Sequence, residues 1–155
     1  MKERATEGDA DAPLQLDEFL CFAVYSATHA FTRVYQPLLK PFGLTYPQFI
    51  AMILLWQQDG QTVSELGEQL YLQSNTLTPM LKRLETLGYV SRSRDPADER
   101  QVRIRLTEAG RDLRRAALDV IDGIRKATAL SGETASRMTE EMQALRRRLD
   151  SQAPR

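Results

Sequence analysis

The chain has 155 residues, 42% of them apolar, which is enough for the core of one domain with helical extensions. Its 21 Lys and Arg balance 21 Asp and Glu, and one cysteine excludes an intrachain disulfide framework. A net charge of zero argues weakly against a nucleic-acid partner, so the position of the charge matters more than its sum.

Residues 1–13 are expected to be a disordered tail, since Met1–Ala12 is polar and acidic. The same stretch has no apolar run of the kind a secretory signal carries, and the longest apolar run, Phe49–Trp56, is far too short to span a membrane. The expected location is cytoplasmic, with no membrane partner, where thiols stay reduced.

From Leu14 a helical pattern begins. Leu16, Phe19, Leu20, Ala23, Ala27, Ala30, Phe31, Val34 and Leu38 form one apolar stripe. Pro37 and Pro41 loosen or end it, and Phe42-Gly43 turns the chain. Thr45-Tyr46-Pro47-Gln48 opens a second helix as a capping sequence, and that helix is apolar on most sides, so it should be central.

Asp59-Gly60 closes the second helix. Thr62-Val-Ser-Glu65 is a capping box for a third, in which Leu66 and Leu70 continue the apolar face. Tyr71-Leu72-Gln73 reads as a turn and Ser74 as the next N-cap. Leu77, Met80, Leu81, Leu84 and Leu87 then recur at helical spacing until Gly88 ends the run. Pro79 falls inside this helix and should bend or tighten it. Residues 89–94 and 101–106 alternate with period two, as paired strands do, around the charged loop 95–100.

Helix, turn, helix and basic hairpin make a winged helix-turn-helix. Residues 82–115 hold ten Lys and Arg against six Asp and Glu, whereas residues 1–20 hold two against six. The balanced total therefore hides a basic segment over the second reader helix and the wing, which points to double-stranded DNA. Ser74, Asn75, Thr76 and Thr78 can meet base edges or phosphates from the first turns of the reader helix, and Lys82 and Arg83 can neutralise phosphate further along. Arg100 at the hairpin tip can enter a minor groove, with Asp98 holding a neighbouring arginine in place. Arg92, Arg94, Arg103 and Arg105 line the strands within reach of phosphate. Each of these residues also has a plainer use, as a cap or a solvated surface charge.

After the wing, Thr107 caps a long helix with Leu113, Ala117, Val120, Ile121 and Ile124 on its apolar face. Ser131-Gly132-Glu133 breaks it, and Met138, Met142, Leu145 and Leu149 carry a last stripe. The winged unit is too small to bury all these stripes, so the helices at the two chain ends should cover one another in a homodimer. Such a dimer presents two reader helices to successive major grooves, roughly 34 Å apart. The expected fold is mostly α with a small β-hairpin wing: a winged helix-turn-helix flanked by N- and C-terminal dimerisation helices. In this reading residues 14–155 form a single domain, with 14–44 and 107–150 the dimerisation region and 45–106 the DNA-binding region.

Cys21 is the only thiol. It is either a small buried apolar residue or a redox sensor, which needs a thiolate open to oxidants. Tyr25 lies one turn on along the same face. Tyr35 returns to nearly that face but lies roughly 21 Å along a continuous helix, and Tyr46 opens the next helix, so neither reaches Cys21 of its own chain without a sharp fold-back, and both could reach it from a dimer partner whose first helix runs antiparallel. The sole histidine, His29, reads as structural. No metal-ligand spacing, catalytic triad or glycine-rich phosphate loop is present in the sequence, so no cofactor and no enzyme activity are expected.

Leu72-Gln-Ser-Asn-Thr-Leu-Thr-Pro-Met-Leu-Lys-Arg-Leu-Glu-Thr-Leu-Gly88 and Arg94-Asp-Pro-Ala-Asp-Glu-Arg100 resemble the MarR family of bacterial regulators. Leu16-Asp-Glu-Phe-Leu-Cys-Phe-Ala-Val-Tyr25, with Tyr35 and Gly43-Leu-Thr-Tyr-Pro-Gln48, is similar to its organic-hydroperoxide-sensing branch, the OhrR repressors. The resemblance covers about residues 14–130. It implies a repressor whose cysteine, here Cys21, is oxidised by organic hydroperoxides to a sulfenic acid. The tyrosines matched by Tyr35 and Tyr46 hydrogen-bond the reduced sulfur from the other subunit, and oxidation releases the operator. It also implies that the wing-tip residues Asp98 and Arg100 engage DNA. Some members carry a second, resolving cysteine late in the chain, and this sequence has none. An oxidised Cys21 must then stop as sulfenic acid, pair with a small thiol, cyclise with a backbone nitrogen or over-oxidise. The competing reading keeps the fold and replaces the peroxide with a small phenolic or apolar ligand, bound near Phe31, Trp56 and the tyrosines. A thiol peroxidase is a third reading, without a supporting motif.

Overall fold

The computed structural model describes residues 14–153; the proposed tail at 1–13 lies outside them. Two compact units divide between Arg33 and Val34, within one helix.

The first unit does not begin as a helix at Leu14. Gln15 and Phe19 have extended backbone on either side of a single 3-10 turn, Leu16–Glu18, and α1 runs Leu20–Leu39. The Phe19 carbonyl accepts the N–H groups of Phe22 and Ala23, both at 3.1 Å, so Phe19 marks where helical bonding starts. The apolar spacing continues upstream of it, but the backbone does not. Leu16, Phe19, Leu20, Val24, Tyr25 and Phe31 are all exposed.

The second unit starts with the end of α1. Pro37 is inside the helix, which continues to Leu39, and Pro41 opens a 3-10 turn, Lys40–Phe42. Gly43 follows at φ 68, the left-handed region that favours glycine. α2, Tyr46–Gln57, opens with the Thr45 N–H donating to Gln48 Oε1 at 2.9 Å. It lies at the centre as its composition required: Phe49, Ala51, Met52 and Leu55 are buried. α3 (Val63–Leu70) and α4 (Ser74–Thr86) pack on it through Leu66, Leu77, Leu81 and Leu84, each fully buried.

β1 (Val90–Arg94) and β2 (Val102–Leu106) pair antiparallel with Val90 opposite Leu106 and Arg94 opposite Val102. This register turns Val90, Ile104 and Leu106 into the core. Gln61 and Thr62 add a short third rung to β2, where the Ile104 N–H donates to the Gln61 carbonyl at 2.8 Å. α5 (Glu108–Thr128) leaves the wing from a Thr107 cap, and α6 (Gly132–Gln152) restarts from Ser131. Ala117 and Val120 of α5 are buried, whereas Met138, Met142 and Leu149 of α6 stay exposed. Among the described residues, no single helix is long and apolar enough to cross a membrane.

Candidate nucleic-acid interface and thiol site

The reader begins with a closed capping box. Glu65 N–H donates to Thr62 Oγ1 at 3.2 Å and Thr62 N–H donates to Glu65 Oε2 at 2.7 Å. α3 ends at Tyr71, a non-glycine residue at φ 55 and ψ 36. Ser74 is not the cap of α4. Gln73 has the extended backbone of an N-cap, and its carbonyl accepts Leu77 N–H at 2.9 Å, so Ser74 is the first helical residue. Its hydroxyl is thereby free of a capping duty. Ser74, Asn75, Thr76, Lys82 and Arg83 are exposed along one side of α4, and Thr78 is half-buried among them.

Pro79 sits in the second turn of α4 without ending it. The helix stops where the sequence said it would. Gly88, at φ 82, donates to the Glu85 carbonyl at 2.9 Å, and Tyr89 donates to the Leu84 carbonyl at 3.1 Å. These two bonds form a Schellman motif, which satisfies the last carbonyls and aims the chain into β1.

The wing arginines divide into two groups. Arg103 does not point to solvent as the strand alternation suggested. Its Nε donates to Asp95 Oδ2 at 3.0 Å, its Nη2 bonds the same oxygen, and its Nη1 bonds the Gly60 carbonyl. Asp95 is buried, and its other oxygen accepts Ala97 N–H at 2.8 Å. That amide first, and then the Arg103 guanidinium, hold the Asp95 carboxyl below the usual carboxylate range. Sequence reading missed this lock, although an Asp before Pro at a loop start is a known turn signal. Arg92 is held more loosely, its Nη1 3.7 Å from Glu85 Oε2 as an ion pair without a hydrogen bond. Arg94, Arg100 and Arg105 remain exposed. Arg94 Nη1 donates to the Glu99 carbonyl at 3.3 Å.

Asp98 organises the tip through the backbone. Its Oδ1 accepts the Arg100 N–H at 3.1 Å and its Oδ2 accepts Gln101 Nε2 at 3.3 Å. It therefore shapes the loop that displays Arg100 and does not grip an arginine side chain.

Cys21 is exposed on α1. In the same unit, Tyr25 stacks on Phe22 at 6.2 Å and meets His29 edge-on at 4.3 Å between ring centroids. In the second unit, the Tyr35 and Tyr46 rings lie 4.4 Å apart, and Tyr35 also touches Phe49. Burial pushes both phenols above their ordinary value, and Tyr46 pushes Tyr35 further. At neutral pH both are protonated, as ordinary phenols are, and can donate a hydrogen bond. Trp56 packs half-buried against the core, and its Nε1 donates to the Gly110 carbonyl at 2.8 Å. Among the described residues, no group of three or more His, Cys, Asp or Glu is placed to hold a metal ion.

Residues 33–116 match the family described as Transcriptional regulator SarA/Rot. The organic hydroperoxide resistance transcriptional regulator of Bacillus subtilis is 42% identical over 132 residues, 85% of this chain and 90% of that protein. The chain belongs to the MarR family of winged-helix, DNA-binding transcriptional regulators. Another relative, the HTH-type transcriptional regulator TtmR of Methylorubrum extorquens, is 55% identical over 104 residues, which is 67% of this chain and 53% of TtmR. The solved structure of reduced AbfR bound to DNA is 38% identical, with a TM-score of 0.71, over 84% of this chain and 90% of AbfR. AbfR has also been solved overoxidised on DNA and in a disulfide form.

Proposed function

We propose that the protein is a homodimeric repressor that binds operator DNA and releases it when an organic hydroperoxide oxidises Cys21. α4 enters the major groove with Ser74, Asn75, Thr76 and Thr78 toward bases and phosphates. Lys82, Arg83 and Arg94 neutralise phosphate, and the loop shaped by Asp98 carries Arg100 to the minor groove. A second copy covers the apolar faces that α1 and α6 leave exposed.

The sensing step is a two-electron oxidation. The Cys21 thiolate attacks the distal peroxide oxygen, an S–O bond forms and the O–O bond breaks. The distal oxygen carries its hydrogen to the sulfur, so Cys21 becomes a sulfenic acid, and the alkoxide leaves as the alcohol by taking from water the proton that the thiol had released. Tyr35 and Tyr46 of the partner subunit donate hydrogen bonds to the reduced sulfur, and oxidation removes that arrangement. The observation that carries this reading is the packed Tyr35–Tyr46 pair, two protonated phenols in a chain whose one thiol is exposed. The redox forms in which AbfR is known support it.

The experiment is a gel shift with cumene hydroperoxide, paired with mass spectrometry of Cys21 on the same samples. Wild-type protein should lose DNA as Cys21 gains oxygen, and Cys21→Ser should bind DNA and ignore the peroxide. Release from the serine variant would sink the sensor assignment.

A further inference from the structure

Tyr71 stands where a large side chain is disfavoured. It caps α3 in the left-handed region, where glycine or asparagine is the usual choice. Burial does not compensate, because the residue is 65% exposed. What its ring meets is the C-terminal helix: the Arg146 guanidinium carbon lies 4.2 Å from the ring centroid. One turn further along α6, Asp150 Oδ2 accepts Arg146 Nη1 at 2.8 Å and fixes the guanidinium over the ring.

The turn under this contact sets the start of α4. Leu72 N–H donates to the Gly67 carbonyl at 3.0 Å, and Gln73 is the N-cap of α4. We propose that Arg146 is a positioning residue for DNA binding: by holding Tyr71 it holds the helix-turn-helix turn, and so the first turn of α4, in the orientation that meets the major groove. This rests on the DNA-reading role assigned above. α6 also carries the exposed Met138, Met142 and Leu149. The Arg146–Tyr71 contact thus gives a helix assigned to the dimer a direct physical route to the reader.

The test uses reduced, full-length protein and a duplex that the wild type enriches from a random-sequence library. Affinity is measured by fluorescence anisotropy at several salt concentrations, with thermal melts alongside. Arg146→Ala and Tyr71→Gly should each weaken binding about fivefold, and the double variant should be no weaker than the worse single. Tyr71→Phe, which keeps the ring, should bind as wild type. Tyr71→Gly should melt no lower than wild type, because glycine relieves the left-handed backbone. A contact that serves only stability would lower melting and binding together, and that outcome overturns the proposal. So do unchanged affinities, a weakened Tyr71→Phe, or additive effects with the salt slope of Arg146→Ala reduced by about 1, the mark of a direct phosphate contact. If the wild type enriches no duplex, the DNA-reading role itself fails, a result distinct from wild-type binding with indifferent variants.

Discussion

Two residues show how one side-chain type takes opposite roles according to what surrounds it. Arg100 is displayed by a loop whose backbone Asp98 ties, whereas Arg103 is consumed by Asp95 and Gly60. Asp95 therefore contributes to the wing in a pH-dependent way. Its folded carboxyl titrates below its ordinary value, so its stabilisation is present above that ordinary value and is lost as pH falls through the depressed one. Asp95→Asn should melt below wild type at neutral pH, and the gap should narrow in thermal melts taken below about pH 4. The tyrosine pair carries the reverse sign. A raised phenol contributes stability below its ordinary value and loses it as pH rises through the folded one. In an absorbance titration at alkaline pH, Tyr35 and Tyr46 should ionise above the ordinary phenol value. Tyr46→Phe should bring Tyr35 part of the way back: it removes the push from Tyr46 and leaves the burial.

Among the elements, those whose boundaries are written in adjacent residues were legible in the sequence. The Thr62–Glu65 box and the Gly88 stop both depend on bonds within one turn, and both are formed. Thr62→Ala should cost about 1 kcal/mol in denaturant unfolding with an unchanged m-value. What the chain does not spell locally is where a side chain is spent elsewhere in the fold. The alternation of β2 cannot say that Arg103 meets Asp95 across the hairpin. The apolar spacing ahead of α1 cannot say that Phe19 is extended. Ser74 looked like a cap because serine favours that position, but Gln73 already accepts the first helical bond. Gly110 is a further case. A Cβ there would lie 2.0 Å from the Tyr89 carbonyl oxygen, so the first turn of α5 sits directly on the start of the wing. Gly110→Ala should push the two apart and destabilise the fold by roughly 1–3 kcal/mol, again read from denaturant unfolding.

At the scale of the molecule, the apolar surface has an uneven distribution. α2, α3, α4 and the wing leave none of their large apolar residues exposed, whereas α1 and α6 expose several. A protein that stayed a single copy would leave Leu20, Phe31, Met138, Met142 and Leu149 in water, at exposures of 43% or more. Each is a side chain whose burial is worth roughly 1.5–3 kcal/mol. A second copy offers a matching set of faces by symmetry, and it doubles the number of reader helices on one duplex. Charge placed on one such face should therefore undo assembly before it undoes the fold, since the buried core lies in other elements. Met142→Glu should turn a dimer into a monomer in light scattering coupled to size-exclusion chromatography, with helical circular dichroism largely kept. The same variant should lose affinity for the enriched duplex far beyond the fivefold expected of Arg146→Ala, because a whole half-site is given up. If Met142→Glu stays dimeric and binds as wild type, the α6 stripe is not where the copies meet.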